Sequence, residues 1–399
     1  MDGSRQSAAT PTTAAHGVGV ADAPLRVLVV LPRNLDVAQW AARFARGEVP
    51  DETPYGYHFA RRAGCEVTFA RPTPAWPGPA GLFDKAFKKI LGFDLRHIWA
   101  NRDLIADRRF DCIWTHTEYE HLAIGLFRQL RKRAVATPLI AQSVWLVDEW
   151  PRWSGLRRAF YRRLMRDSHV ASFLSPLNAD RARTLKLGRR VEVVEFGISL
   201  DSFPSLPESG PPGERPPARP VRVLALGNDR HRDWTTLAGA LGGRPGYEVR
   251  IGSGTFPAHL RQGNIQAGPM SQREVIDNYA WADCVAVPLV ANQHASGVTA
   301  MLEAMAMNVP VIAARAGGLP FYFGDDCVAY HDIGDADGLR RSLDHLMREP
   351  GARLAQVRAA RKNLMDRQLT SEGFALRHVR LSRELARAGH GASQGVKQA

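Results

Sequence analysis

Cysteine is scarce in this chain of 399 residues, with four in all. Cys65, Cys112, Cys284 and Cys327 are widely spaced, each in or beside an apolar run, and no C-x-x-C pair occurs. That pattern excludes a disulfide framework and a zinc module and predicts buried, reduced thiols in a cytosolic setting. Long apolar runs are missing too. None approaches the roughly 20 residues needed to cross a bilayer. The opening stretch MDGSRQSAATPTTAAHGVGVADAP has one arginine and no apolar core, so it does not read as a secretory signal. Residues 1–24 are expected to form a disordered leader and 390–399 a disordered tail. No solenoid-type repeat is present. The glycines of IGSGTF lack the third glycine and the following helix of a dinucleotide fingerprint and mark a turn instead. No aromatic–basic recognition module accompanies the positive charge, which argues against a nucleic-acid partner.

What the chain does have is basic charge and an α/β rhythm. There are 53 Lys and Arg against 40 Asp and Glu, a net +13, which favours anionic partners such as phosphorylated substrates or an acidic membrane surface. A hydrophobic content of 45% suits full cores, and the length suits two domains. Structure is expected from Leu25, where LRVLVVLP reads as a buried parallel strand. RNLDVAQWAARFARGEVPDETP reads as a long polar loop. YGYHFARRAGCEVTFA reads as a short helix, a glycine stop and a second strand. Residues 82–108 read as a basic helical stretch, and FDCIWTHTEYEH, PLIAQSVWL and VASFLSP as further strands. The segment 204–220, PSLPESGPPGERPPARP, is the most proline-rich and reads as an exposed linker. Beyond it VRVLALG, YEVRIGSG, CVAVPLV and VPVIAA alternate with helices, one of them N-capped by Ser271. The fold class is α/β, two Rossmann-like domains facing a cleft: 25–203, then the linker 204–220, then 221–370, with a helix at 371–389.

The stretch Pro288–Pro310, PLVANQHASGVTAMLEAMAMNVP, carries the clearest chemistry. A strand leads through the loop NQHASG into a helix. The helix begins at Ser296, Gly297, Val298 and Thr299, offering free backbone N–H groups and a positive dipole end, a place for phosphate. Glu303 lies a little over one turn further in and leans back toward the same place. Its carboxylate repels phosphate but suits a pair of sugar hydroxyls. A ligand with diphosphate next to ribose satisfies both.

Four blocks in order, VEFGISLDSFP, GPMSQREVIDNYAWADCVAVPLV, ASGVTAMLEAMAMNVPVIAARAGGLP and MDRQLTSEGFALRHVRLSREL, resemble retaining glycosyltransferases of the GT-B fold, family 4 in particular. Gly197 and Asp201 stand where that family has Gly and Asp. The resemblance implies a nucleotide-sugar donor as substrate, no separate cofactor, no metal, and retention of configuration. It also implies a sugar, lipid-linked or small-molecule acceptor and a cytoplasmic enzyme, peripheral at most on the inner face of the membrane. A nucleotide-sugar epimerase or hydrolase of the same fold and a non-catalytic GT-B-like subunit are the alternatives.

By the same resemblance Glu303 holds the ribose. A second glutamate usual eight positions earlier is replaced by Ala295, and Gln293 or His294 is expected to take over its contact with the donor sugar. In GNDRHRDW, Asn228 stands at the place of a phosphate-binding arginine and Arg232 at that of a lysine, and Arg230 can supply what Asn228 lacks. His116 in WTHTEYEH matches a histidine that approaches the transferred sugar, so His116 and His294 are the catalytic candidates. Glu118, Glu120 and His121 have weaker claims, as do Arg33 and Asn34 where the family has a glycine-rich loop. No carboxylate stands out as a general base. Asp335-Ala336-Asp337 reads as a loop and helix cap rather than a metal motif. The helix WSGLRRAFYRRLMR is expected to bury Trp153, Leu156, Phe160, Tyr161 and Leu164, turning Arg158, Arg162, Arg163 and Arg166 toward solvent or a membrane.

Overall fold

A computed structural model describes residues 24–131, 137–207 and 219–395. Two six-stranded sheets, parallel throughout, form the frame. The first contains β1 (Leu25–Val30), β2 (Cys65–Phe69), β3 (Cys112–Thr115), β4 (Leu139–Ser143), β5 (Val170–Phe173) and β6 (Arg190–Val193). Their spatial order is β2-β1-β3-β4-β5-β6. The second contains β7 (Val221–Leu226), β8 (Tyr247–Gly252), β9 (Ile265–Gly268), β10 (Cys284–Val287), β11 (Val311–Ala314) and β12 (Ala329–His331), in the order β12-β11-β10-β7-β8-β9. β3, β4, β5, β10 and β11 are buried along their whole length, as strands covered by helices on both faces must be. Each sheet reverses its winding once, between β1 and β3 and between β7 and β10. Crevices at strand C-terminal ends open at such points. All four cysteines are buried and unpaired.

Several local expectations need correction. The loop after β1 contains a helix, Val37–Ala45, capped by Asp36, whose carboxylate accepts from Ala38 N–H at 2.9 Å. Val37, Trp40, Ala41 and Phe44 do have helical spacing. The basic stretch 82–108 is three helices, Gly78–Leu91, Leu95–Ala100 and Arg102–Ile105, broken at Gly92 and restarted by the Asp94 cap. The short helix before β2 is a 3-10 segment, Pro54–Ala63, with Tyr55 and Gly56 left-handed. In the helix Gly155–Met165, Tyr161, Leu164 and Met165 are buried, but Leu156 is 84% exposed. The leader up to residue 23, linker residues 208–218 and the last four residues lie outside the described residues. The final helix, Ser371–Gly395, extends past 389.

That helix crosses back to the first half. Phe374, Val379 and Leu381 join Val27, Trp114 and Ile140 in one core, and the Trp114 indole donates to Ser382 Oγ at 2.8 Å. The outgoing and returning chains touch where they pass. Ile198 N–H donates to Leu369 O at 3.3 Å and Ser371 N–H to Ile198 O at 2.8 Å. Position 197 needs glycine because a Cβ there would lie 2.2 Å from Thr370 O.

Candidate functional site at the cleft

The site is built on the two loops that leave the switch point of the second sheet, Gly227–Asp233 after β7 and Pro288–Gly297 after β10. The latter leads into the helix Val298–Ala306. Val298, Ala300, Met301, Leu302, Ala304 and Met305 are all buried, so this helix is apolar on nearly every side and sits inside the core. Gly297 is its N-cap at φ 84°, and a Cβ there would lie 2.5 Å from Val287 Cγ1 and 2.7 Å from Arg232 Nη1. A left-handed residue pressed this closely must be glycine. No side chain caps the helix; Val298 N–H donates to Ala295 O at 3.2 Å, which leaves the N–H groups of Thr299 and Ala300 for a ligand. Neither Ser296 nor Thr299 caps the helix. Thr299 is exposed, and Ser296 donates to Asp229 Oδ2 at 2.8 Å.

Arg232 packs beside Gly297. Its Nε and Nη1 are shielded from solvent without a hydrogen-bond partner, and burial lowers its pKa to about 10 against the opposing pull of Asp229. Glu303 accepts from Tyr279 Oη at 2.8 Å. Burial pushes its carboxyl up to about 7, with the Tyr279 hydrogen bond and Arg232 pulling the other way.

His294 lies between two carboxylates. Nε2 is 3.0 Å from Asp229 Oδ2, and Nδ1 is 3.3 Å from Asp148 Oδ2. Burial alone would lower its pKa, but the contacts with Asp148 and Asp229 raise it to about 9, and the ring is an imidazolium at neutral pH. Asp229 is held well below the usual carboxylate range: burial opposes this, and His294 and Ser296 override it. Asp148 belongs to the first half, and its Oδ1 also accepts from Gln293 N–H at 2.7 Å. Arg230 pairs with Glu149, also of the first half. The loop NQHASG is thereby tied across the cleft. Asn228 accepts from Gly254 N–H at 2.8 Å, bracing the IGSG turn, and borders the cleft cavity as well. Glu118, Glu149, Asp229 and Arg230 line a cavity of about 440 Å³ together with Tyr119, Trp145, Trp153, Arg157 and Tyr161.

The first-half candidates have a different setting. His116 is 5% exposed, stacked on Tyr55 at 3.3 Å between centroids and 3.0 Å from Tyr57 Oη. Burial lowers its pKa to about 3 and keeps it neutral. Among the described residues no hydrogen bond or ring contact joins it to the His294 cluster. Glu118 accepts from Val144 and Trp145 N–H at 3.1 and 3.4 Å. Glu120 closes a capping box with Thr117, and burial raises it to about 8. His121 faces Thr115 and Ser143. Arg33 is engaged by Asp84 and Asp94.

Asp148, His231 and His294 have ligand atoms within 4.8 Å of one another. In the structure His294 is paired with Asp148 and Asp229, and His231 Nδ1 lies 3.0 Å from Asp229 Oδ1. Asp335 accepts from Gly338 N–H at 2.8 Å and caps the helix Ala336–Arg348. Sequence reasoning missed Asp148, Glu149, Asp229 and Tyr279. Asp229 stood between two residues already singled out, and Asp148 and Glu149 follow a strand C-terminal end, so a weak signal existed.

Residues 12–197 match the glycosyl transferase 4-like domain. D-inositol 3-phosphate glycosyltransferase of Mycolicibacterium smegmatis is 32% identical over 206 residues, covering 44% of this chain and 42% of that protein, so the chain spans less than half the length of this curated relative. Sucrose-phosphate synthase from Thermosynechococcus elongatus superimposes with a TM-score of 0.68 at 17% identity, over 91% of this chain and 100% of that one. Anabaena HepE, solved in complex with UDP and glucose, gives 0.62 at 13% identity, over 90% and 99%.

Proposed function

We propose that this chain, a GT-B-fold protein resembling glycosyltransferases of family 4, transfers a sugar from a nucleotide-sugar donor to an acceptor with retention at the anomeric carbon. One observation carries the donor half: an uncapped helix start at Gly297 beside the unpartnered Nε and Nη1 of Arg232, with Glu303 a turn further along. In this reading the helix N–H groups and Arg232 hold the diphosphate, and Glu303 holds the ribose hydroxyls. Asp229 keeps the place of an anion at Ser296 and His294 until the diphosphate arrives. The protonated His294 then faces the developing negative charge. The bond from the anomeric carbon to the phosphate oxygen breaks, and a bond to the acceptor oxygen forms on the same face. The leaving phosphate takes the acceptor's proton, and catalysis consists of positioning and charge stabilisation. The acceptor occupies the 440 Å³ cavity, whose aromatic side suits a sugar ring or a lipid-linked glycan.

Titration with UDP-, GDP- and TDP-sugars, followed by nucleotide release with and without an acceptor lysate, tests this. UDP comes first because HepE is solved with it. We expect binding and acceptor-dependent release, with affinity falling about 10- to 100-fold for Arg232→Ala. No binding of any nucleotide overturns the reading. Ala295, where the family has an acid, favours a second reading, a non-catalytic binding subunit, and binding without release would support it.

A further inference from the structure

The helix Gly78–Leu91 is built the wrong way round for an ordinary surface helix, which turns its apolar stripe inward. Leu82, Phe83, Phe87 and Ile90 are 68%, 69%, 39% and 70% exposed, and the only buried residue of the helix is a carboxylate, Asp84. Asp84 is anchored by Arg33 at 2.6 Å and Arg96 at 3.2 Å. The far end is held by Tyr161 Oη on Leu91 O at 2.5 Å and by Arg157 on Ile90 O. The orientation is therefore fixed by polar contacts on the inner side.

We propose that this outward face, extended by the 84%-exposed Leu156, docks the protein on an anionic lipid bilayer. At 100° per residue the four apolar side chains sweep an arc of about 140°. Lys85 and Lys89 flank one edge of that arc, both exposed and, among the described residues, without an ion pair. Large apolar residues bordered by lysines are the composition of a helix lying in a bilayer interface. A net charge of +13 adds long-range attraction to acidic headgroups. The arginines of Gly155–Met165 are largely engaged elsewhere: Arg158 holds Trp153 O and Pro151 O, and Arg162 holds Leu185 O. The lipid-facing surface thus belongs to the preceding helix. It is continuous with the cleft, because its C-cap Gly92 and the neighbouring Arg157 both line the cavity. A docked protein would hold the cavity mouth beside the headgroups.

The full chain should sediment with vesicles of phosphatidylcholine plus phosphatidylglycerol and much less with phosphatidylcholine alone. Phe83→Glu combined with Ile90→Glu should abolish sedimentation, and Lys85→Glu or Lys89→Glu should weaken it about fivefold each. Unchanged melting and circular dichroism in each variant separate lost docking from misfolding. The assay uses no nucleotide, so it stands or falls apart from the transferase reading. Absence of sedimentation with anionic vesicles overturns the proposal, as does a folded double variant that still sediments. A dimer in light scattering that the double variant dissolves would assign the face to a second copy and overturn it as well.

Discussion

The helices Val298–Ala306 and Gly78–Leu91 are near inversions of each other. The first buries apolar residues on almost every side and keeps one carboxylate, Glu303, a little over one turn in from its functional end. The second buries only a carboxylate and turns its apolar residues outward. In the first, hydrophobic burial fixes the helix so that an open N-terminus faces the cleft. In the second, ion pairs fix the helix so that apolar surface stays free. The same residue types do opposite work because topology, and not periodicity, decides which side faces the core.

Substitutions can break or sharpen this contrast. Met301→Ala should cost about 3 kcal/mol in urea denaturation, the usual penalty for a core cavity. Asp84→Ala leaves Arg33 and Arg96 without their shared partner and should cost about 3 kcal/mol or slightly less, since both arginines retain some solvent. If Asp84→Ala proved neutral, ion pairing would not be what holds the second helix. His294 stands at the doorway of the first helix with a pKa raised from 6.5 to about 9. A raised value means its ion pairs stabilise fully below about pH 6.5 and are lost as pH rises through about 9. Thermal melts should therefore decline across that window by roughly 2 to 3 kcal/mol, and His294→Ala should flatten the profile. Glu303→Ala should weaken nucleotide binding about tenfold while leaving unfolding little changed. Phe83→Ser should leave stability within about 0.5 kcal/mol, as for any exposed position.

Much of this was legible in the chain. The apolar runs LRVLVVLP and CVAVPLV marked strands, the Ser271 N-cap formed as read, with Ser271 Oγ accepting from Glu274 N–H at 3.3 Å, and the strand before Pro288, the loop and the helix follow in the order expected, the helix starting at Val298 and not at Ser296. The His294 network was not legible. Its members at positions 148, 229 and 294 meet only because two switch-point loops and one loop of the opposite sheet converge. Asn228 and Arg230 were placed in the right loop, but which neighbour each would choose, Gly254 or Glu149, depends on side-chain directions that spacing does not fix. The inverted helix was hidden for a related reason: Leu82, Phe83, Phe87 and Ile90 define a stripe, and a stripe does not say what lies against it.

The paired crossing at Ile198 and Leu369–Ser371 has a mechanical meaning. Two chain segments hydrogen-bonded side by side act as a hinge with two adjacent pins, resisting twist and sideways slip. Tyr322 Oη on Leu174 O at 2.9 Å and the Arg367–Glu195 pair brace the same junction, and the motion such pins favour is a swing about the line through Gly197 and Thr370. Its far edge is where Asp148 meets His294 and Arg230 meets Glu149. Lever geometry then sets a rule for the whole molecule: a few degrees at the pins become ångströms at the ion pairs, and salt that loosens those pairs should widen the gap without disturbing either sheet.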